Sequence, residues 1–370
     1  MIPDPRTYPP PEAATADARA LHRLAEASLG AETGAVAAAR DAEIAARIAA
    51  FIDAGDGAAL DTAVASSPSA AIHRHLWRVI VAEVERERDA SIGPRLFAIP
   101  VVVVAASDDD REHRFDAVVH DPAELASILV EHGALGGNRQ VALAGALATV
   151  DAIDLRAMPR LIRAAAAAGG APLDVAPAPF SALPGGERVH LRFLVGSALA
   201  ASVAALCRDP DVGKWGVQFT RALSRSIARP GATVVAMPRA PQSLPAAVAT
   251  GRTVSREAAA TLFASNALRR MRASVGEPVA TISAHRVEGT RTRGELRVSL
   301  SSPFDEREAE GFRCPLEPLD RVADVANLLA AVLAECRVAD VRWLPGVHGD
   351  RDPSTGLALL FKAGAAGTPG

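Results

Sequence analysis

The sequence predicts an α/β or α+β protein, with mixed sheets flanked by helices and a helical N-terminal region. Three observations carry that reading. In the N-terminal region, Ala13 to Ala54 is alanine-rich, and Ile72, Leu76, Val79, Ile80 and Val84 recur at helical spacing. Leu96 to Ala106 is a continuous apolar run dominated by valine, the pattern of a strand covered on both faces. Beyond it, short β-branched segments alternate with helical periodicity, some separated by tight polar loops, which favours mixed sheets over one parallel sheet.

In chain order, residues 1–12 hold five prolines and are expected to form a flexible tail. A helical region follows over 13–92. It opens with two helices between Ala13 and Ala54, broken near Gly30 and ended before Gly55-Asp56-Gly57. A further helix is expected with Ser67 as its N-cap and Pro68 in its first turn. That helix places Ile72, Leu76, Val79, Ile80 and Val84 on one face.

A first α/β domain is expected over 93–170. Leu96 to Ala106 is its main strand, with Pro100 arguing against a wholly central place or marking a bulge. Phe115 to Val119 is its expected hairpin partner. Asp121, Pro122, Glu124 and Gly133 then define a helix by its cap, its first turn and its stop. Gln140 to Ala168 reads as more helix, the last opening at Pro159 and stopped by Gly169.

Proline and glycine without periodicity over 171–187 predict a linker to a second α/β domain spanning 188–363, with a flexible tail at 364–370. In that domain Val189 to Val195 and Ala232 to Met237 read as strands. Ser197 to Cys207 reads as a small-residue helix, and a further helix starts at Ser255. Val279 to Ala284 and Glu295 to Leu300 read as a hairpin, with Glu295, Arg297 and Ser299 outward and Leu296, Val298 and Leu300 inward. Val322, Val325, Leu329, Val332 and Cys336 repeat at helical spacing. Val338 to Leu344 and Leu357 to Phe361 close the chain as two strands around a polar loop.

Charge is distributed unevenly. The whole chain carries a net charge of −3, yet Arg208 to Arg297 holds 15 basic residues against 6 acidic ones. From Val212 to Arg256 there is no acidic residue at all. Arg221, Arg225 and Arg229 recur every four residues, while Phe219, Leu223 and Ile227 recur two positions out of step. Two helical positions are about 200° of rotation, so the arginines form one stripe and the apolar residues the opposite one. Arg269, Arg270 and Arg272 add a second basic cluster in the helix after Ser255. Guanidinium groups pair well with carboxylates and phosphates, so the sequence offers these six arginines as a surface for an acidic protein or an anionic ligand. Nucleic acid is the weaker partner: aromatics are 4% of the chain, which leaves little for base stacking. The plain alternative is a helix face neutralised by acidic stretches elsewhere.

Other chemistry is thinly represented. His348, Asp350 and Asp352 alternate within a polar loop, and if extended they point the same way and could ligate a divalent metal. The EF-hand pattern fails there, since Thr355 stands where glycine is required and Phe361 where the bidentate glutamate should be. His73 and His75 diverge by about 200° on a helix and cannot share an ion. His285 lies near Ser283, but no acidic orienter is evident in the sequence. Gly213-Lys214 lacks the remainder of a phosphate loop, and Gly196-Ser197 lacks the second glycine of a nucleophile elbow. No cofactor is expected. Cys207, Cys314 and Cys336 are odd in number and far apart, which fits packing thiols in a reducing cytoplasm better than a disulfide framework. The longest uncharged run, Phe193 to Cys207, is 15 residues, shorter than the roughly 20 that a membrane helix needs. The leading expectation is therefore a cytoplasmic, non-catalytic interaction or assembly protein without a membrane segment, compatible with homo-oligomerisation. Its rival is an enzyme acting on a phosphorylated or acidic small molecule.

Overall fold

The computed structural model describes Pro5 and residues 14–87, 93–207, 211–274, 276–287, 294–302, 309–317 and 319–349. Among these residues are ten α-helices and three sheets, an α+β fold with helices gathered at the N-terminus. The chain divides into two compact units, the change falling between Ser255 and Arg256.

The first unit opens with α1 (Ala16–Leu29), α2 (Gly34–Ala54), α3 (Gly57–Ala65) and α4 (Ala70–Glu85). The expected break near Gly30 and stop at Gly55 are present, Gly55 taking the left-handed conformation of a helix C-cap. Ser69, rather than Ser67, caps α4 by accepting from the Ile72 amide, while the Ser67 hydroxyl donates to the Ala63 carbonyl.

The central sheet of this unit runs β3-β5-β1-β6, from β1 (Arg95–Ser107), β3 (Val141–Ala148), β5 (Arg188–Ala198) and β6 (Ala232–Pro238). β1 is central, and Pro100 fits there for a local reason. Its carbonyl accepts from the Arg239 amide, just past the end of β6, so its missing N–H faces the side where that ladder has already ended. Alternate residues of β1 feed two cores. Leu96 and Ala98 join the core built with α1, α2 and α4. Phe97, Ile99, Val101 and Val103 join the opposite one.

β2 (His113–Phe115) pairs with β4 (Phe180–Ala182), not with β1, so the hairpin expected at Phe115 to Val119 does not form. Its ring instead stacks on Phe180 at 4.7 Å between centroids. The stretch Val141 to Ala148, expected to be helical, is strand β3 because its alternate residues fill both cores. Gly196 of β5 allows that close packing: a Cβ there would stand 2.4 Å from the Phe97 ring and 2.7 Å from Leu143. Residues 171–187 lie within this unit, with Leu173 and Val175 in its core. β5 then pairs with β1 from Arg188↔Ala105 to Ala198↔Arg95, so strands on either side of the expected linker share one sheet.

α5 (Pro122–Glu131) begins as its sequence specifies, the Asp121 carboxylate accepting from the Glu124 amide at 2.8 Å. Asp121→Ala should cost about 1 kcal/mol, visible as a lowered denaturation midpoint with unchanged slope; an unchanged midpoint would contradict the cap. α6 (Met158–Ala168) ends at Gly169 with φ 61°, as expected. The region Ser197 to Cys207 is strand and a single turn, α7 (Val203–Leu206), rather than one helix.

α8 (Val212–Ile227) follows and packs beside β6. Together with the turn after it, α8 closes that strand's outer edge. The Ser224 hydroxyl accepts from the Ala236 amide at 3.0 Å, and the Arg229 carbonyl from the Ala232 amide at 3.3 Å.

α9 (Leu244–Ser274) starts eleven residues before the expected Ser255. Proline at its second residue is tolerated because a first-turn N–H has no partner in the helix. Its later part belongs to the second unit, whose sheet runs β10-β7-β8-β9. β7 (Val279–Arg286), β8 (Gly294–Ser301) and β9 (Ala309–Pro315) form an antiparallel meander. α10 (Val322–Glu335) then carries the chain back so that β10 (Asp340–His348) lies parallel to β7. One sheet face packs Ala280, Ile282, Leu296 and Val298 against α9 and α10. The strand expected at Leu357 to Phe361, the C-terminal tail and, apart from Pro5, the N-terminal tail lie outside the described residues. Among those described, no helix is long and apolar enough to cross a membrane.

Candidate functional site

The arginine helix is amphipathic in the expected sense. Phe219, Leu223 and Ile227 are buried, as is Trp215, whose ring meets Phe219 edge-on at 5.2 Å. The outer stripe consists of Lys214, Val217, Gln218, Arg221 and Arg225, all exposed. Those positions fall within about 100° of one another around the helix.

Several of its cations have internal partners. Arg225 pairs with Glu124 at 3.0 Å, so that carboxylate does not return to the α5 cap, and Lys214 pairs with Asp211 at 3.5 Å. Arg229 lies beyond the helix end and pairs with Asp116. Arg221 has no ion-pair partner among the described residues. Exposed pairs of this kind contribute about 0–1 kcal/mol, so an incoming carboxylate can replace the internal one at little cost.

Arg269, Arg270 and Arg272 belong to the other unit. Arg269 donates to the Asn266 side chain, and Arg270 forms a forked pair with Glu310, one limb at 2.9 Å. Arg272 holds Glu277 and also donates to the Arg337 carbonyl at 3.0 Å.

His348 ends β10 in register with His285 of β7, their rings 5.4 Å apart. Asp350 and Asp352 lie outside the described residues, and among those described no group of three metal-ligating side chains could hold an ion. What surrounds His348 is instead a polar sheet face. Ser283 and His285 lie two apart on β7, opposite Arg297 and Glu295 of β8. The Ser283 hydroxyl and His285 Nε2 are 2.8 Å apart, and His285 Nδ1 is 3.0 Å from the Gly349 carbonyl.

Glu295 and Arg297 were expected to face solvent, yet both are buried and paired with each other, Arg297 completely. Strand alternation separates the two faces correctly but says nothing about whether the polar face is covered. A buried ion pair is retained because each charge would be costly without the other.

The remaining titratable residues have local roles. His73 Nδ1 lies 2.8 Å from the Val64 carbonyl, whereas His75 Nε2 meets Asp41 at 2.9 Å. The two histidines thus do not share an ion. Burial pushes the thiols of Cys207 and Cys314 up to about 12, away from nucleophilic use at neutral pH. A cleft in the first unit is lined by Ile52, Leu96, Met158, Val203 and Leu244, with Arg95 as its charged group. None of the six candidate arginines lines it. The chain matches no family model, no curated protein and no solved structure, so its chemistry is read from its own residues.

Proposed function

We propose that the protein is a non-catalytic interaction or assembly protein whose α8 stripe binds an acidic partner. Val217 carries the reading. It is 60% exposed, the largest value among the exposed large apolar side chains of the described residues, and it stands along the helix between Lys214 and Arg221. Val217 lies at one margin of the stripe, and a binding stripe combines an apolar contact with flanking charges. The partner that fits is an acidic amphipathic segment placing an apolar side chain on Val217 and carboxylates on Arg221 and Arg225. A reducing cytoplasm is the proposed setting.

The test is fluorescence anisotropy with a labelled peptide that combines leucine and glutamate on one helical face, titrated at two salt concentrations. Wild-type protein should bind with marked salt dependence. Changing Arg221, Arg225 and Arg229 together to alanine should weaken binding by about 10–100-fold, at roughly 0.5–1 kcal/mol for each surface charge. The helical circular dichroism should be retained. Equal affinity in the triple variant would overturn the proposal.

A further inference from the structure

We propose that the outer edge of β10 pairs with the same edge of a second copy of this chain, antiparallel about a two-fold axis at Val341, so that two sheets become one. The inference concerns the second unit and stands independently of the α8 stripe.

β10 ends the sheet order β10-β7-β8-β9, and among the described residues no strand lies on its far side. Residues 342–347 are all exposed, and Trp343, Leu344 and Val347 place three large apolar side chains among them. An unpaired strand edge presents a row of main-chain donors and acceptors, a template for another strand. A strand added there satisfies those groups and takes the apolar side chains out of water together.

Charge selects both the occupant and the register. Opposite residues of an antiparallel pair share a face, so a two-fold axis perpendicular to the sheet passes through a residue and not between two. Val341 and Trp343 are in register with Ala280 and Ile282, on the core-facing side, whereas Arg342 and Leu344 are in register with Thr281 and Ser283 on the other. Asp340 shares the face of Arg342 and accepts from its Nε at 2.9 Å. An axis at Asp340 would set two carboxylates opposite each other, and an axis at Arg342 two guanidinium groups; like charges directly opposite are destabilising. An axis at Val341 instead sets each Asp340 opposite Arg342 of the second copy, a square of alternating charge. One patch is then complementary to itself, the condition for a two-fold dimer.

The same register suits the apolar residues and the ends of the ladder. Trp343 comes opposite Ala339 of the second copy, whose small side chain leaves room for the indole. The ladder runs from Val338 to Leu344. It stops at one end where Arg337 takes φ 63°, and at the other before Pro345, which has no N–H to give, and the bulge that follows Leu344. A single short ladder falls below the roughly 800 Å² per partner of a standard interface. The association is therefore weak, with a dissociation constant on the order of 10–100 μM.

Sedimentation velocity of the full chain from about 1 to 500 μM tests this, with hydrogen exchange of β10 read at both ends of the range. The mass should move from one chain to two, and the β10 amides should gain protection only at high concentration. Arg342→Asp sets like charges opposite one another and should weaken the dimer about 10-fold. The double variant Asp340→Arg with Arg342→Asp should restore it. Val341→Cys should form a disulfide between copies at that position, mapped by mass spectrometry, because opposite Cα atoms of an antiparallel pair stand within bridging distance. The wild-type measurements decide even if a variant fails to fold. A single-chain mass at every concentration would overturn the proposal. So would β10 protection independent of concentration, which puts the partner of the edge within one chain, or a dimer indifferent to Arg342→Asp, which forms through another surface.

Discussion

Replacing Trp215 with alanine should destabilise the first unit by about 3–5 kcal/mol, the range for deleting a large buried aromatic side chain. The residue is 1% exposed and occupies the core that α8 shares with the central sheet, alongside Phe219 and Leu223. Its loss removes the largest fully buried side chain beneath a helix that must stay docked. The indole Nε1 is buried with no acceptor among the described residues. Trp215→Phe should therefore be much milder, since it removes an unsatisfied donor along with part of the volume. Urea denaturation of both variants measures this. A Trp215→Ala loss under about 1 kcal/mol, within the effect of an ordinary surface change, would contradict the core role.

Arg297→Met should cost a comparable 3–5 kcal/mol, because it leaves Glu295 buried without its guanidinium. The double variant Arg297→Met with Glu295→Leu should lose less than Arg297→Met alone, since no buried carboxylate is then left without a cation. A double-mutant cycle by denaturant titration separates the two cases.

What could be read from the sequence was whatever neighbouring residues decide. The α5 cap needs only the Asp121 side chain and the nearby Glu124 amide, and the stripes of α8 need only helical spacing, so both were legible. Val141 to Ala148 was not. Alanine favours helix intrinsically, and only burial between two helical layers makes that segment a strand. The partner of β2 is about 65 residues away, out of reach of a local hairpin argument.

At the candidate sites, the arginines of α8 were visible by spacing, but Glu124 and Asp116 came to them only through tertiary packing. Ser283 and His285 were visible as neighbours. Their burial on a covered face is what alternation alone cannot reveal.

The closure of the β6 edge by α8 has a consequence for self-association. Two outward amides of that strand are held by Ser224 and Arg229 instead of by another chain. A fluctuation that lifts α8 without unfolding the sheet frees the Ala236 donor and uncovers the apolar layer beneath Phe219 and Leu223. Strand edges in that state are templates for pairing with a second molecule. Occupation of the arginine stripe would then act as a chaperoning contact: a ligand that requires the docked helix depletes the opened form in proportion to its own binding.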